Sequence, residues 1–99
     1  MIVVERYRNR PGVVLAEIAG EYLLVSTKAL LDTCPYLTQL NESSAFLWRL
    51  LEDGAAPEEL ADAAAAEYGL DSPEDAMEGI RGFLQEMIDM NYVTIGESA

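Results

Sequence analysis

The chain has 99 residues, 51% of them apolar, and carries 18 acids against six lysines and arginines with no histidine, a net charge of −12. That length suits a single domain spanning residues 1–99, and that charge has the wrong sign for gripping a nucleic-acid backbone or an anionic membrane surface. The lone cysteine, Cys34, leaves no internal disulfide and points to a reducing compartment. Residues 1–50 carry five bases against five acids, whereas residues 51–99 carry Arg81 alone against thirteen acids. The front of the chain is neutral and the back is acidic. No stretch resembles a signal peptide or reaches the length of a membrane span, so a cytoplasmic protein is expected.

In chain order, Pro11-Gly12 is a turn signal, and the β-branched run that follows predicts a strand from Val13 to Ile18. Ala19-Gly20 reads as a two-residue reversal into Tyr22–Val25, which gives a hairpin over Val13–Ser26. Residues 27–35 mix residue types and are assigned only as a loop. Tyr36–Leu40 alternates large and polar residues and predicts a third short strand.

Asn41 then suits a helix N-cap, and the dense apolar run Ala45–Leu51 predicts a central helix, closed by Gly54. Pro57 with Glu58 and Glu59 opens a second helix that runs through an alanine stretch to Tyr68 and stops at Gly69. Ser72 as N-cap and Pro73 at the first position announce a third helix. Its apolar stripe is Met77, Ile80, Phe83, Leu84, Met87 and Ile88, and Asn91 ends it. Tyr92–Ile95 follows as a short extended piece. Strands at about 13–40 and helices at about 42–90 make an α+β chain with a winged helix-turn-helix outline, a three-stranded antiparallel sheet followed by three helices. The third helix carries one arginine against five acids, so it does not read as a DNA-recognition helix.

Little in the sequence supports catalysis. Without histidine there is no imidazole acid, base or metal ligand, and one cysteine cannot build a zinc site, so neither metal nor cofactor is expected. Cys34 has no partner base and is followed by Pro35, which suits a small semi-buried loop residue. The carboxylate clusters fall in helix first turns, where they complement the dipole. Leu70-Asp71-Ser72-Pro73 resembles the Asp-Ser-Leu signature of acyl carrier proteins, which would place phosphopantetheine on Ser72. A helix cap accounts for the same serine, and the strand-rich front has no counterpart in a four-helix carrier.

Two features point to peptide binding instead. Gly79 and Gly82 interrupt the third helix, where glycine is unfavourable unless something packs close; the sheet or the first helix is the ordinary candidate. Tyr36–Leu40 would lie at a sheet edge, and an exposed edge templates an added strand. Alternation gives Tyr36, Thr38 and Leu40 one face, Leu37 and Gln39 the other. The same edge could also pair with itself, so a self-associating structural module is the further alternative.

The run Leu40-Asn41-Glu42 through Ala45, Trp48, Leu50-Leu51 and Gly54 resembles the signature of PqqD-like proteins. Arg10-Pro11-Gly12-Val13, Gly20 and Leu23 before it, and Pro57–Leu60, Ile80, Phe83-Leu84, Met87 and Asn91-Tyr92-Val93 after it, extend the likeness to most of the chain. The long connection at 27–35 and Asn91 in place of a usual glycine depart from the pattern. The resemblance implies a recognition element for ribosomally made, post-translationally modified peptides: a non-catalytic chaperone that binds the leader of a precursor peptide by strand addition and presents it to a modifying enzyme of radical-SAM type. It implies a peptide groove formed by Tyr36, Leu37, Thr38, Gln39 and Leu40 on the strand with Gly79, Gly82, Phe83, Glu86 and Met87 on the third helix. Asn41, Trp48 and Leu51 are expected to hold the fold. A monomer is expected, with a strand-edge or swapped dimer as the other state. The acidic back half predicts a basic stretch on the partner and binding that weakens as salt rises.

Overall fold

A computed structural model describes residues 4–27 and 37–98. The elements in order are β1 (Val4–Asn9), β2 (Val13–Ile18), β3 (Glu21–Ser26), β4 (Leu37–Leu40), α1 (Glu42–Leu50) with a 3-10 turn at Leu51–Asp53, α2 (Pro57–Tyr68), α3 (Glu74–Asp89) and β5 (Val93–Ser98). Strands β2, β3 and β4 form an antiparallel sheet in that spatial order, and β1 pairs with β5 in a second, two-stranded sheet. The three-stranded sheet and three helices match the outline expected from sequence; the second sheet was not foreseen. Its strands lie at opposite ends of the chain, Arg8 facing Thr94 and Asn9 facing Val93, a pairing no local pattern announces. Backbone bonds between Tyr7 and Ala55 at 2.8 and 2.9 Å occupy the other edge of β1.

The β2–β3 hairpin turns on Ala19 and Gly20, both at positive φ (53° and 81°), as a two-residue turn matched to strand twist requires. Its register pairs Ile18 with Glu21 and Leu15 with Leu24. Helix α1 is capped as expected: the Asn41 carboxamide oxygen accepts the Ser44 N–H at 2.8 Å. Gly54 closes the following 3-10 turn at φ 84°, and a Cβ there would also lie 2.9 Å from the Arg8 guanidinium. Pro57 opens α2, with the Glu59 carboxylate accepting the Ala56 N–H at 2.9 Å, and Gly69 ends it in the left-handed region. Ser72 does not cap α3: the helix starts at Glu74 with Pro73 in the cap position and no side-chain cap bond. Pro73 already supplies a helical φ and has no N–H to satisfy, so the serine is not needed there.

The apolar stripe of α3 buries Ile80, Phe83, Leu84 and Met87 against Trp48, Leu51, Leu60 and Leu24. Asn91, at φ 63°, ends α3 in a Schellman motif: the Tyr92 N–H reaches the Met87 carbonyl and the Asn91 N–H reaches that of Ile88, each at 2.9 Å. Tyr92 is thereby driven into the core, its ring edge-on to Trp48 at 6.4 Å.

Candidate functional site

The register of the hairpin decides which backbone groups face outward. The Gly12 carbonyl accepts the Thr27 N–H at 2.9 Å, so even-numbered residues of β2 bond odd-numbered residues of β3. Tyr22 and Leu24 then turn their backbone groups toward β4, onto Leu40 and Thr38. What remains on the far edge of β4 is the N–H and C=O of Leu37 and of Gln39. No strand pairs there among the described residues.

The side chains of β4 divide as the alternation predicts. Leu40 is buried and Thr38 half-buried on the inner face, while Leu37 (55% exposed) and Gln39 lie open on the outer one. The Thr38 hydroxyl shares a 2.6 Å hydrogen bond with the Tyr92 hydroxyl. That bond ties the edge strand to the C-terminal end of α3, and sequence reasoning did not find it. Tyr36 lies outside the described residues, as does Cys34.

Beside Asn41, the residue that follows β4, a cleft of about 380 Å³ opens between the start of α1, the end of α2 and α3. Leu47, Ala64, Ile80 and Phe83 form its apolar floor, and Ser44 and Glu86 lie on its wall. Tyr68 stands at the mouth, held edge-on to Phe46 at 5.7 Å. Desolvation raises the pKa of its hydroxyl, helped by Glu42 and Glu67, so it remains a neutral hydrogen-bonding group. Tyr68 and Leu70 were not singled out from sequence; their signal is partial exposure of large apolar side chains beside a cleft.

Gly79 lines this cleft, and neither it nor Gly82 meets the sheet or the first helix. A Cβ built on either finds nothing within 4 Å. The glycines therefore leave open surface rather than accommodating a neighbour inside the fold, which corrects the packing reading made from sequence. Phe83 is 7% exposed at the cleft floor, and Glu86 is exposed on its wall. Met87, at 1% exposure, and Leu40, at 7%, belong to the core and do not line the cleft.

The arrangement suits binding. Among the described residues no cluster of acids or cysteine could hold a metal ion, and no helix is long and apolar enough to cross a membrane.

Two solved structures share the fold. A chain described as TbiB1 in complex with the TbiA(beta) leader peptide matches at TM-score 0.68 and 28% identity, covering 87% of this chain and 93% of that one. A lasso peptide synthetase B1 complexed with the leader peptide matches at TM-score 0.69 and 22% identity, covering 89% and 96%. No curated protein matches in sequence. Residues 12–93 match the family described as Coenzyme PQQ synthesis protein D, a span from the Pro11-Gly12 turn to the first residue of β5 that takes in both the open strand edge and the cleft. The acyl-carrier alternative for Ser72 falls with that match, and the chain belongs to the PqqD family.

Proposed function

We propose that this chain is a non-catalytic, cytoplasmic recognition element that binds the leader of a ribosomally made precursor peptide and presents it, as a monomer, to a modifying enzyme of radical-SAM type. The observation that carries the reading is the open edge of β4 beside a cleft in α3, in a chain whose fold is shared with a leader-peptide complex at 28% identity. The leader adds as a strand whose backbone bonds Leu37 and Gln39. Its inward side chains pass over Thr38 toward α3, where Phe83 and Gly79 offer apolar surface and open space, and Glu86 offers a carboxylate to a basic residue. Gly82 keeps the outer flank of the helix clear. Affinity then comes from the backbone ladder and specificity from the alternating side chains.

Titrating the ¹⁵N-labelled chain with the leader segment of its precursor tests this. The amides of Leu37 and Gln39 and those along α3 should shift together. Shifts confined to the α2–α3 turn around Ser72 would sink the reading.

A further inference from the structure

The three-stranded sheet has a second free edge. The alternation that turns Gly12 and Val14 toward β3 points the N–H and C=O of Leu15 away from it, and no strand pairs with that side of β2 among the described residues. A cleft of about 480 Å³ lies along this edge, bounded by the end of β1, the turn at Pro11-Gly12 and the first residues of β2, with Trp48 and Glu52 contributed by the α1 region.

The charge of this cleft is opposite to that of the α3 groove. Arg8 and Arg10 line it against the single carboxylate of Glu52, in a molecule whose net charge is −12. Among the described residues the ion pair uses neither arginine; it joins Arg6 to Glu59 at 2.8 Å. Arg10 donates its Nε to the Asn91 carbonyl at 2.6 Å, which leaves its terminal nitrogens available, and Arg8 lies against Gly54 with no carboxylate partner among the described residues. Asn9 forms part of the cleft wall. Its Nδ2 donates to the Trp48 carbonyl at 3.0 Å, which fixes the amide, and its Oδ1 is buried with no hydrogen-bond partner among the described residues.

We propose that this cleft is a second peptide-docking site, one that takes an acidic extended segment of a protein partner along the free edge of β2. Leu15 supplies the backbone ladder, and Arg8 and Arg10 receive carboxylates on alternate residues. The opposite charges of the two edges sort the two ligands. A basic leader is steered to β4 and α3, and an acidic segment to β2, so both can be held at once.

The test uses the full chain and a probe peptide of alternating glutamate and valine, seven residues long and blocked at both ends. Amide shifts should fall on residues 8–15 and on the indole of Trp48, the single tryptophan, while Leu37 and Gln39 stay fixed. Arg8→Glu should weaken the probe about tenfold or more and Arg8→Lys only a few-fold, and the chain should stay folded, since among the described residues Arg8 makes no ion pair. A lysine-valine peptide binding with equal affinity would overturn the proposal. So would shifts landing on β4, or inorganic phosphate reproducing the same shifts at the same concentration.

Discussion

Proline substitution can separate the two edges of β4, because its residues alternate in what their N–H groups do. The Gln39 N–H faces the open edge, so Gln39→Pro removes no bond of the folded chain, and the residue before it is already extended. Folding stability should move by less than about 1 kcal/mol. Bound leader, in contrast, loses one backbone bond and keeps an acceptor with no donor, together about 1–3 kcal/mol, or roughly 5- to 150-fold in Kd. Thr38→Pro reverses the pattern. It removes the ladder donor to Leu24, a residue at 0% exposure, and also the 2.6 Å bond to Tyr92. The cost to folding should be about 2–4 kcal/mol, read as a lower midpoint in urea. Leader affinity by calorimetry and stability by urea titration, measured on both variants and on Gln39→Ala, complete the comparison. A Gln39→Pro chain that folds and binds leader as tightly as the parent refutes strand addition at this edge. Equal losses for Gln39→Ala would move the interaction to the side chain.

Gly79→Ala should stabilise α3 by about 0.5–1 kcal/mol, since the new Cβ meets nothing, whereas Gly79→Leu should fill the cleft mouth and weaken leader binding about tenfold while the chain stays folded. Ala19→Asn should raise stability by about 0.5–1 kcal/mol in thermal or urea unfolding, because Ala19 holds a φ of 53° that asparagine tolerates better. The Ala56 N–H, and then Arg6, hold the Glu59 carboxylate below its ordinary pKa. A carboxylate with a depressed folded pKa contributes stability above its unfolded value and loses it as pH falls through the folded one. Glu59→Gln should therefore flatten the pH dependence of unfolding below about pH 5 while keeping the acceptor for Ala56. Leader affinity should fall as salt rises from about 50 to 500 mM, since thirteen of the eighteen acids lie in the half that carries the groove helix; a flat profile would leave that charge as a solubility feature.

The sequence made local structure legible wherever a backbone constraint has a residue signature. Ala19-Gly20, Asn41, Pro57 and Gly69 each mark a turn or a helix end by chemistry that acts within four residues, and each stands where expected. The period of α3 was equally plain, because its buried face repeats at helical spacing. What stayed hidden depends on distance in the chain. The pairing of β1 with β5 joins residues about 90 apart, and Arg6 and Arg8 show only as charge until that pairing arrays them along a strand, with Arg10 just past its end. Ser72 failed for a different reason. Two capping signals overlapped at Ser72-Pro73, and the proline took the helix start. The glycines of α3 were read correctly as an absence of bulk, but a sequence cannot say whether the space is filled from inside the fold or left to solvent.

Asn91 departs from the glycine that the sequence resemblance implied, and the structure shows how asparagine meets the same backbone requirement. The requirement at that position is a left-handed residue that sends the chain from α3 into β5, and asparagine satisfies it at φ 63° with both Schellman bonds formed. The consequence reaches beyond the helix end. Those bonds place Tyr92 two residues past the cap, buried at 0% exposure against Trp48, with its hydroxyl on Thr38. One side chain, positioned by the helix terminus, thus links the β4 edge to the end of α3. A β-branched residue at 91 would strain that turn, loosen Tyr92 and release Thr38. The groove would lose its alignment before the fold lost its core, since the apolar stripe of α3 would still bury Ile80, Leu84 and Met87.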